Sequence, residues 1–224
     1  MKICGLICFQ YGVAAVTVFK VGFCEGIFSD RYRQNWSNDG PRPIRWSAWY
    51  PAHETAIERS ISLPPDRPLF VMGDVAREAA LDERQPQFPV VLLSHGTGGT
   101  AASLGWLAQG LAAAGYVVMG VDHHGNTACE SYRPEGFLCW WERPLDLSRV
   151  LDHLIEEKRF AGRLDLTRVV GAGFSLGGYT VMSILGAITE MTRFDEWAAV
   201  SPSCRSPREF PDLGVWSRHL MVRV

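Results

Sequence analysis

The stretch Val169-Val170-Gly171-Ala172-Gly173-Phe174-Ser175-Leu176-Gly177-Gly178 decides the fold. Its first four residues are a short apolar run of strand type, and a helical pattern opens after Ser175. Between them lies G-x-S-x-G, Gly173 to Gly177. The bare pattern is weak, because glycine and serine are common. Its place between a buried strand and a helix gives it force. A sharp strand-to-helix turn drives its central residue into a strained backbone, and glycines two positions to either side keep neighbouring chain clear. Ser175 is then expected to project its hydroxyl at the end of the sheet, beside the positive end of a helix dipole. The competing reading is a glycine-rich turn with an incidental serine.

The same strand–helix rhythm recurs upstream. Val90-Val91-Leu92-Leu93 is a fully apolar run that ends in Ser94-His95-Gly96-Thr97-Gly98-Gly99. A helical pattern follows, with Leu104, Leu107 and Leu111 on one face and Gly115 as its stop signal. Residues 116–121 read as a second buried strand. A helix is expected over 145–159, with Leu147, Val150, Leu151, Leu154 and Ile155 on one stripe. Apolar strands alternating with amphipathic helices predict an α/β fold, a mostly parallel sheet with helices on both faces.

The first half of the chain differs. Residues 16–28 and 44–50 read as strands joined by the polar turn Ser37-Asn38-Asp39-Gly40-Pro41. Alternation through Ile44-Arg45-Trp46-Ser47-Ala48-Trp49 predicts a half-exposed edge strand. Residues 51–88, rich in proline and charge, read as a long surface connection of the kind that borders a functional face. Residues 1–15 form an N-terminal segment of their own: Lys2 precedes an uncharged run, and Val13-Ala14-Ala15 would suit a signal cleavage site. Gln10 and Tyr11 interrupt that run. The expected location is cytoplasmic, or periplasmic or secreted if the segment is a signal peptide.

Composition bounds the partners. The chain has 224 residues, 47% hydrophobic and 21% charged, with a net charge of −2. That excludes disorder and gives no reason to expect a nucleic-acid partner. No stretch approaches the roughly 20 apolar residues of a membrane span. Cys4, Cys8, Cys24, Cys129, Cys139 and Cys204 are too few for a disulfide scaffold and lack zinc spacing, so no metal site is expected. Cys129 and Cys139 flank a loop-like run and would be placed to pair in an oxidising compartment.

A serine nucleophile needs donors for its oxyanion. One is expected from the N–H of Leu176, the residue after it. The second is expected from the glycine-rich loop after Leu93, with Thr97 N–H the candidate and Gly96 or Gly98 beside it. A phosphate-cradling loop is the alternative, but no P-loop lysine or GxGxxG spacing is present.

With these motifs in hand, the chain resembles the α/β-hydrolase superfamily, and within it the dienelactone-hydrolase-like proteins related to platelet-activating factor acetylhydrolase. The resemblance rests on Trp49-Tyr50-Pro51-Ala52, Leu93 to Gly99, Val121-Asp122-His123-His124-Gly125-Asn126-Thr127, Arg143-Pro144-Leu145-Asp146-Leu147 and Gly173 to Tyr179. It covers residues 16–200, the hydrolase core, leaving 201–224 as an irregular tail. It implies hydrolysis of small carboxylic, short-acyl esters by a Ser–His–Asp triad without metal or cofactor. Dienelactone hydrolases carry cysteine at the elbow, so Ser175 points to the acetylhydrolase type of esterase.

In this fold the acid and base follow the serine in the chain. Beyond Ser175 the sequence offers Asp212 and His219 in the required order, on a proline- and charge-rich stretch without a preceding apolar run. The expectation is that the last strands and their acid and base are missing, leaving a sheet edge open for self-association. His123 and His124 end a strand near the expected site face and could line a pocket; as neighbours on a strand they point to opposite faces and do not make a metal pair. Two functions remain open: a serine ester hydrolase, impaired if acid and base are lost, and a non-catalytic hydrolase-fold binding protein. Acyl transfer on the same serine is not separable from hydrolysis at this level.

Overall fold

The computed structural model describes residues 18–63 and 69–201. The described strands are β1 (Lys20–Gln34), β2 (Pro41–Ala52), β3 (Arg59–Leu63), β4 (Phe70–Arg77), β5 (Phe88–Ser94), β6 (Val117–Asp122) and β7 (Leu164–Gly173). The helices are α1 (Gly105–Ala113), α2 (Pro134–Leu138), α3 (Glu142–Glu156), α4 (Leu176–Ile184) and α5 (Met191–Val200). The strands form one sheet in the order β3-β4-β1-β2-β6-β5-β7. The β6-β5-β7 end is parallel, as the strand–helix rhythm predicts, while β1 and β2 form an antiparallel hairpin and β2 joins β6 antiparallel. The sheet is therefore mixed, with its parallel part holding the Ser175 motif.

The central strand shows why it reads as an unbroken apolar run. Alternate residues of β5 serve opposite faces. Val90 and Leu92 pack with Leu147, Val150 and Leu154 of α3, whereas Val91 and Leu93 pack with Ala101, Ala108 and Ala112 of the α1 side. Each fully buried aliphatic side chain contributes roughly 1.5–3 kcal/mol of transfer free energy. The stripe expected on α1 is Leu104, Leu107 and Leu111, and these are only partly buried. The alanines take the closest positions, which lets the helix approach the sheet. Gly115 ends α1 at φ +97°, as its stop signal requires.

Two expectations about the first half fail. Residues 44–50 are no edge strand: β2 lies between β1 and β6, and Trp46 through Tyr50 are all buried. Helices cover both faces here, so Tyr50 packs toward the α3 side and Trp49 toward α1. Residues 51–88 are no bare connection either. They carry β3 and β4, and β4 pairs parallel to β1. The strands were hidden because each is short and prolines and charges surround them. No described helix is long and apolar enough to cross a membrane. Cys129 and Cys139 are free thiols, the first exposed and the second buried. Residues 1–15 and nearly all of 201–224 fall outside the described residues.

Candidate active site

Parallel pairing of β5 with β7 sets Ser94 opposite Gly173, so the two loops that leave these strand ends run side by side. This is the carboxyl edge of the parallel strands, where crevices form in open α/β sheets. Ser175 stands there exposed, at φ 53° and ψ −118°, immediately before α4. That combination lies outside the regions a residue with a Cβ ordinarily occupies and costs on the order of 1–3 kcal/mol. Its side chain makes no capping hydrogen bond to the helix it precedes. The glycines around it are required by contact. A Cβ on Gly177 would lie 2.0 Å from the Ser94 carbonyl oxygen, and one on Gly173 would lie 2.2 Å from that of Gly177.

The loop after β5 closes against this turn. A Cβ on Gly96 would sit 3.3 Å from Ser175 Cβ. Gly98 N–H donates to Asn126 Oδ1 at 2.6 Å, and Gly99 N–H donates to Gly96 O at 3.2 Å. Those two amides are therefore occupied. Among the described residues, the N–H groups of Gly96, Thr97 and Leu176 have no hydrogen-bond partner. Thr97 is exposed and Leu176 half-buried. The structure thus brings Ser175, the 96–97 backbone and Leu176 together. Asp212 and His219 lie outside the described residues.

No described histidine serves Ser175. His53 meets Thr55, His124 meets Glu130 at 2.7 Å, and His153 stacks on Phe28. His95 is fully buried and braces its own loop. Its Nε2 accepts the His123 N–H at 3.2 Å, which places the proton on Nδ1, and that N–H donates to Gly96 O at 2.6 Å. Burial first, and then the Arg143 charge, pull its pKa down to about 4, so it is neutral at pH 7. His123 does not line a pocket either: it is buried under the loop.

That burial exposes a network the sequence reading did not find. Arg143 donates through Nη2 to the His95 carbonyl and to Ser94 Oγ. Ser94 Oγ lies 2.9 Å from His123 Nε2, and His123 Nδ1 lies 3.0 Å from Asp146 Oδ2. Neutral His123, held well below its usual range by burial and by Arg143, fits donation from Ser94 to Nε2 and from Nδ1 to Asp146. Asp146 is held well below the usual carboxylate range although burial opposes this, because Arg42 and Arg33 flank it. Arg42 grips it with two bonds of 2.9 and 3.0 Å. Ser94, His123 and Asp146 thus repeat the order of contacts of a catalytic triad, but Ser94 is wholly buried and has no route to a substrate. One signal was available: Arg143 and Asp146 fall on the same helical face as Leu147, Val150 and Leu154, so charges were written into a core stripe.

Comparison with known proteins identifies the family. The family model for serine aminopeptidase, S33, matches residues 85–224. Among solved structures, the chain is similar to a ferulic acid esterase from Streptomyces cinnamoneus, with 26% identity and a TM-score of 0.61 over 77% of this chain and 57% of that one. It therefore spans a little over half the length of that esterase. An acetyl xylan esterase from Paenibacillus sp. R4 is 16% identical with a TM-score of 0.45, over 80% of this chain and 58% of that one. A puromycin-hydrolyzing peptidase of Mycobacterium tuberculosis is 15% identical with a TM-score of 0.40, over 72% and 20%. No curated protein matches.

Proposed function

The chain belongs to the serine aminopeptidase S33 family of α/β-hydrolases, and from that premise we propose that it is a serine hydrolase of small carboxylic esters with Ser175 as its nucleophile. The observation that carries this reading is the strained, exposed Ser175 at the start of α4, close to the 96–97 backbone, whose N–H groups, like that of Leu176, have no partner among the described residues. Ser175 Oγ attacks the ester carbonyl carbon, and the carbonyl oxygen becomes an oxyanion. The N–H groups of Thr97 and Leu176 receive that charge, each such donor being worth about 10²–10³ in rate. A base takes the Ser175 hydroxyl proton and passes it to the alkoxide as the tetrahedral intermediate collapses and the ester C–O bond breaks. Water, losing a proton to the same base, then releases the acyl group as the acid and restores the Ser175 hydroxyl. The chain order leaves His219 and Asp212 as the candidates for base and orienting acid.

The similarity to a ferulic acid esterase at 26% identity supports an ester over an amide substrate. A short acyl group is the substrate class that the acetylhydrolase-like motifs suggest. The test is hydrolysis of p-nitrophenyl esters of increasing acyl length by the native chain and by Ser175→Ala. Turnover is expected to be greatest for acetate and to fall at least about a thousandfold in the variant. Equal rates in the two proteins would refute the assignment. The second reading, a non-catalytic binding protein, draws on the lack of a histidine beside Ser175 among the described residues. It predicts no turnover by either protein.

A further inference from the structure

Arg143 is buried to 1% exposure, yet no carboxylate forms an ion pair with it among the described residues, and its Nη1 has no partner. Asp146, one turn along α3, is committed to Arg42, Arg33 and His123. Burying a cation without a counter-ion is expensive, and stability alone does not call for it. Burial pushes this guanidinium down to about 10, still charged at neutral pH. Its donors go to the two loops that meet at Ser175. On one side Nη2 holds the His95 carbonyl and Ser94 Oγ. On the other, Nε donates to Thr180 Oγ1 at 3.1 Å, and that hydroxyl donates to the Leu176 carbonyl at 2.9 Å.

In a trans peptide the C=O and N–H of one plane point in opposite directions. Fixing the His95 carbonyl therefore fixes the direction of the Gly96 N–H and sets the start of the 96–97 turn. The next peptide, which carries the Thr97 N–H, is held through the Gly96 carbonyl, which accepts from His95 Nδ1 at 2.6 Å and from Gly99 N–H at 3.2 Å, so the residue whose carbonyl Arg143 grips also orients the Thr97 donor. We propose that Arg143 is a positioning residue that clamps the 95–97 loop and the first turn of α4 into one oxyanion-binding arrangement, with Ser94, His123 and Asp146 as the buried relay that holds the clamp. This rests on the reading of Ser175 as nucleophile. It adds that catalytic competence depends on a residue that never touches substrate.

The experiment compares Arg143→Met, Arg143→Lys, Thr180→Val and Thr180→Ser on p-nitrophenyl acetate, with fluorophosphonate labelling and hydrogen exchange of the segment 94–99. Arg143→Met should lower kcat about a hundredfold with KM changed less than about threefold, the size of one lost oxyanion donor. Arg143→Lys keeps the charge but loses the fork, so it should recover only part of the loss. Thr180→Val, the milder variant should Arg143→Met fail to fold, should cost about tenfold in kcat, and Thr180→Ser should restore it. Exchange at 94–99 should quicken in Arg143→Met and Thr180→Val, while the β1–β2 hairpin is unchanged. Unaltered kcat in a folded Arg143→Met, or Thr180→Ser as impaired as Thr180→Val, would overturn the clamp. A native chain that does not label at all would instead fail the Ser175 reading. The exchange result then decides the clamp alone, and unchanged exchange at 94–99 would overturn it.

Discussion

Acidifying the protein from pH 7 to pH 5 protonates in the unfolded chain two buried imidazoles, His95 and His123, that the folded chain keeps neutral. His95 is held at about 4 against an ordinary 6.5, by burial first and by the Arg143 charge second. His123 is displaced in the same direction by the same two causes. Both are bases with lowered folded values, so their contribution is fully present above about 6.5 and is lost as the pH falls toward 4. At about 1.4 kcal/mol per pH unit, His95 alone removes about 2 kcal/mol by pH 5 and about 3 kcal/mol by pH 4. His123 adds to the loss, and Asp146, held well below the usual carboxylate range, gives up its share only at lower pH. Urea unfolding at half-unit pH steps measures this directly. His95→Gln cannot titrate; it should be less stable at pH 7, and its stability should fall by about 2 kcal/mol less between pH 7 and pH 5. A flat native profile across that window, or the same slope in His95→Gln, would refute the reasoning.

Three further outcomes follow from contacts around the site. Gly177→Ala places a methyl 2.0 Å from the Ser94 carbonyl oxygen and 2.8 Å from that of His95; thermal unfolding should show a loss of about 3 kcal/mol, with Ser175 no longer labelled. Asp146→Asn removes the carboxylate that pairs with buried Arg42 and one of the three around half-buried Arg33, and should cost about 3–5 kcal/mol in denaturant unfolding. Ser175→Gly relieves the strain at φ 53° and should raise stability by about 1 kcal/mol while abolishing activity. A destabilised Ser175→Gly would mean that the turn is not strained.

Much of the fold was legible because its signals are local. The β5 run, the α3 stripe and the strand–serine–helix turn each declare themselves within about ten residues and each is present, although α3 runs three residues earlier than its stripe suggests and β7, read as a buried strand, is the edge of the described sheet with Val170 half exposed. β3 and β4 were not legible, since a five-residue strand beside prolines carries too little periodicity to be told from a loop. The interior position of β2 was hidden for another reason. Alternation reports one buried face, and only the tertiary arrangement brings α1 over the other.

The candidate site divides in the same way. Ser175, Thr97 and Leu176 sit on motifs whose geometry the backbone dictates, so spacing finds them. The brace beneath them joins β5, β6 and α3 through Ser94, His123 and Arg143, residues 29 and 49 positions from Ser94. No local pattern links such distances. Asn126, which takes the Gly98 N–H and so leaves the 96–97 backbone as the free donor, was equally invisible.

The proposed activity turns on Ser175, and one measurement addresses it without assuming a substrate. The native chain is treated with a fluorophosphonate probe, digested with trypsin, and the peptide of residues 169–193 is weighed and sequenced by mass spectrometry. The account predicts a single adduct on Ser175, absent from Ser175→Ala. An unmodified peptide, or an adduct that survives in Ser175→Ala, would contradict it.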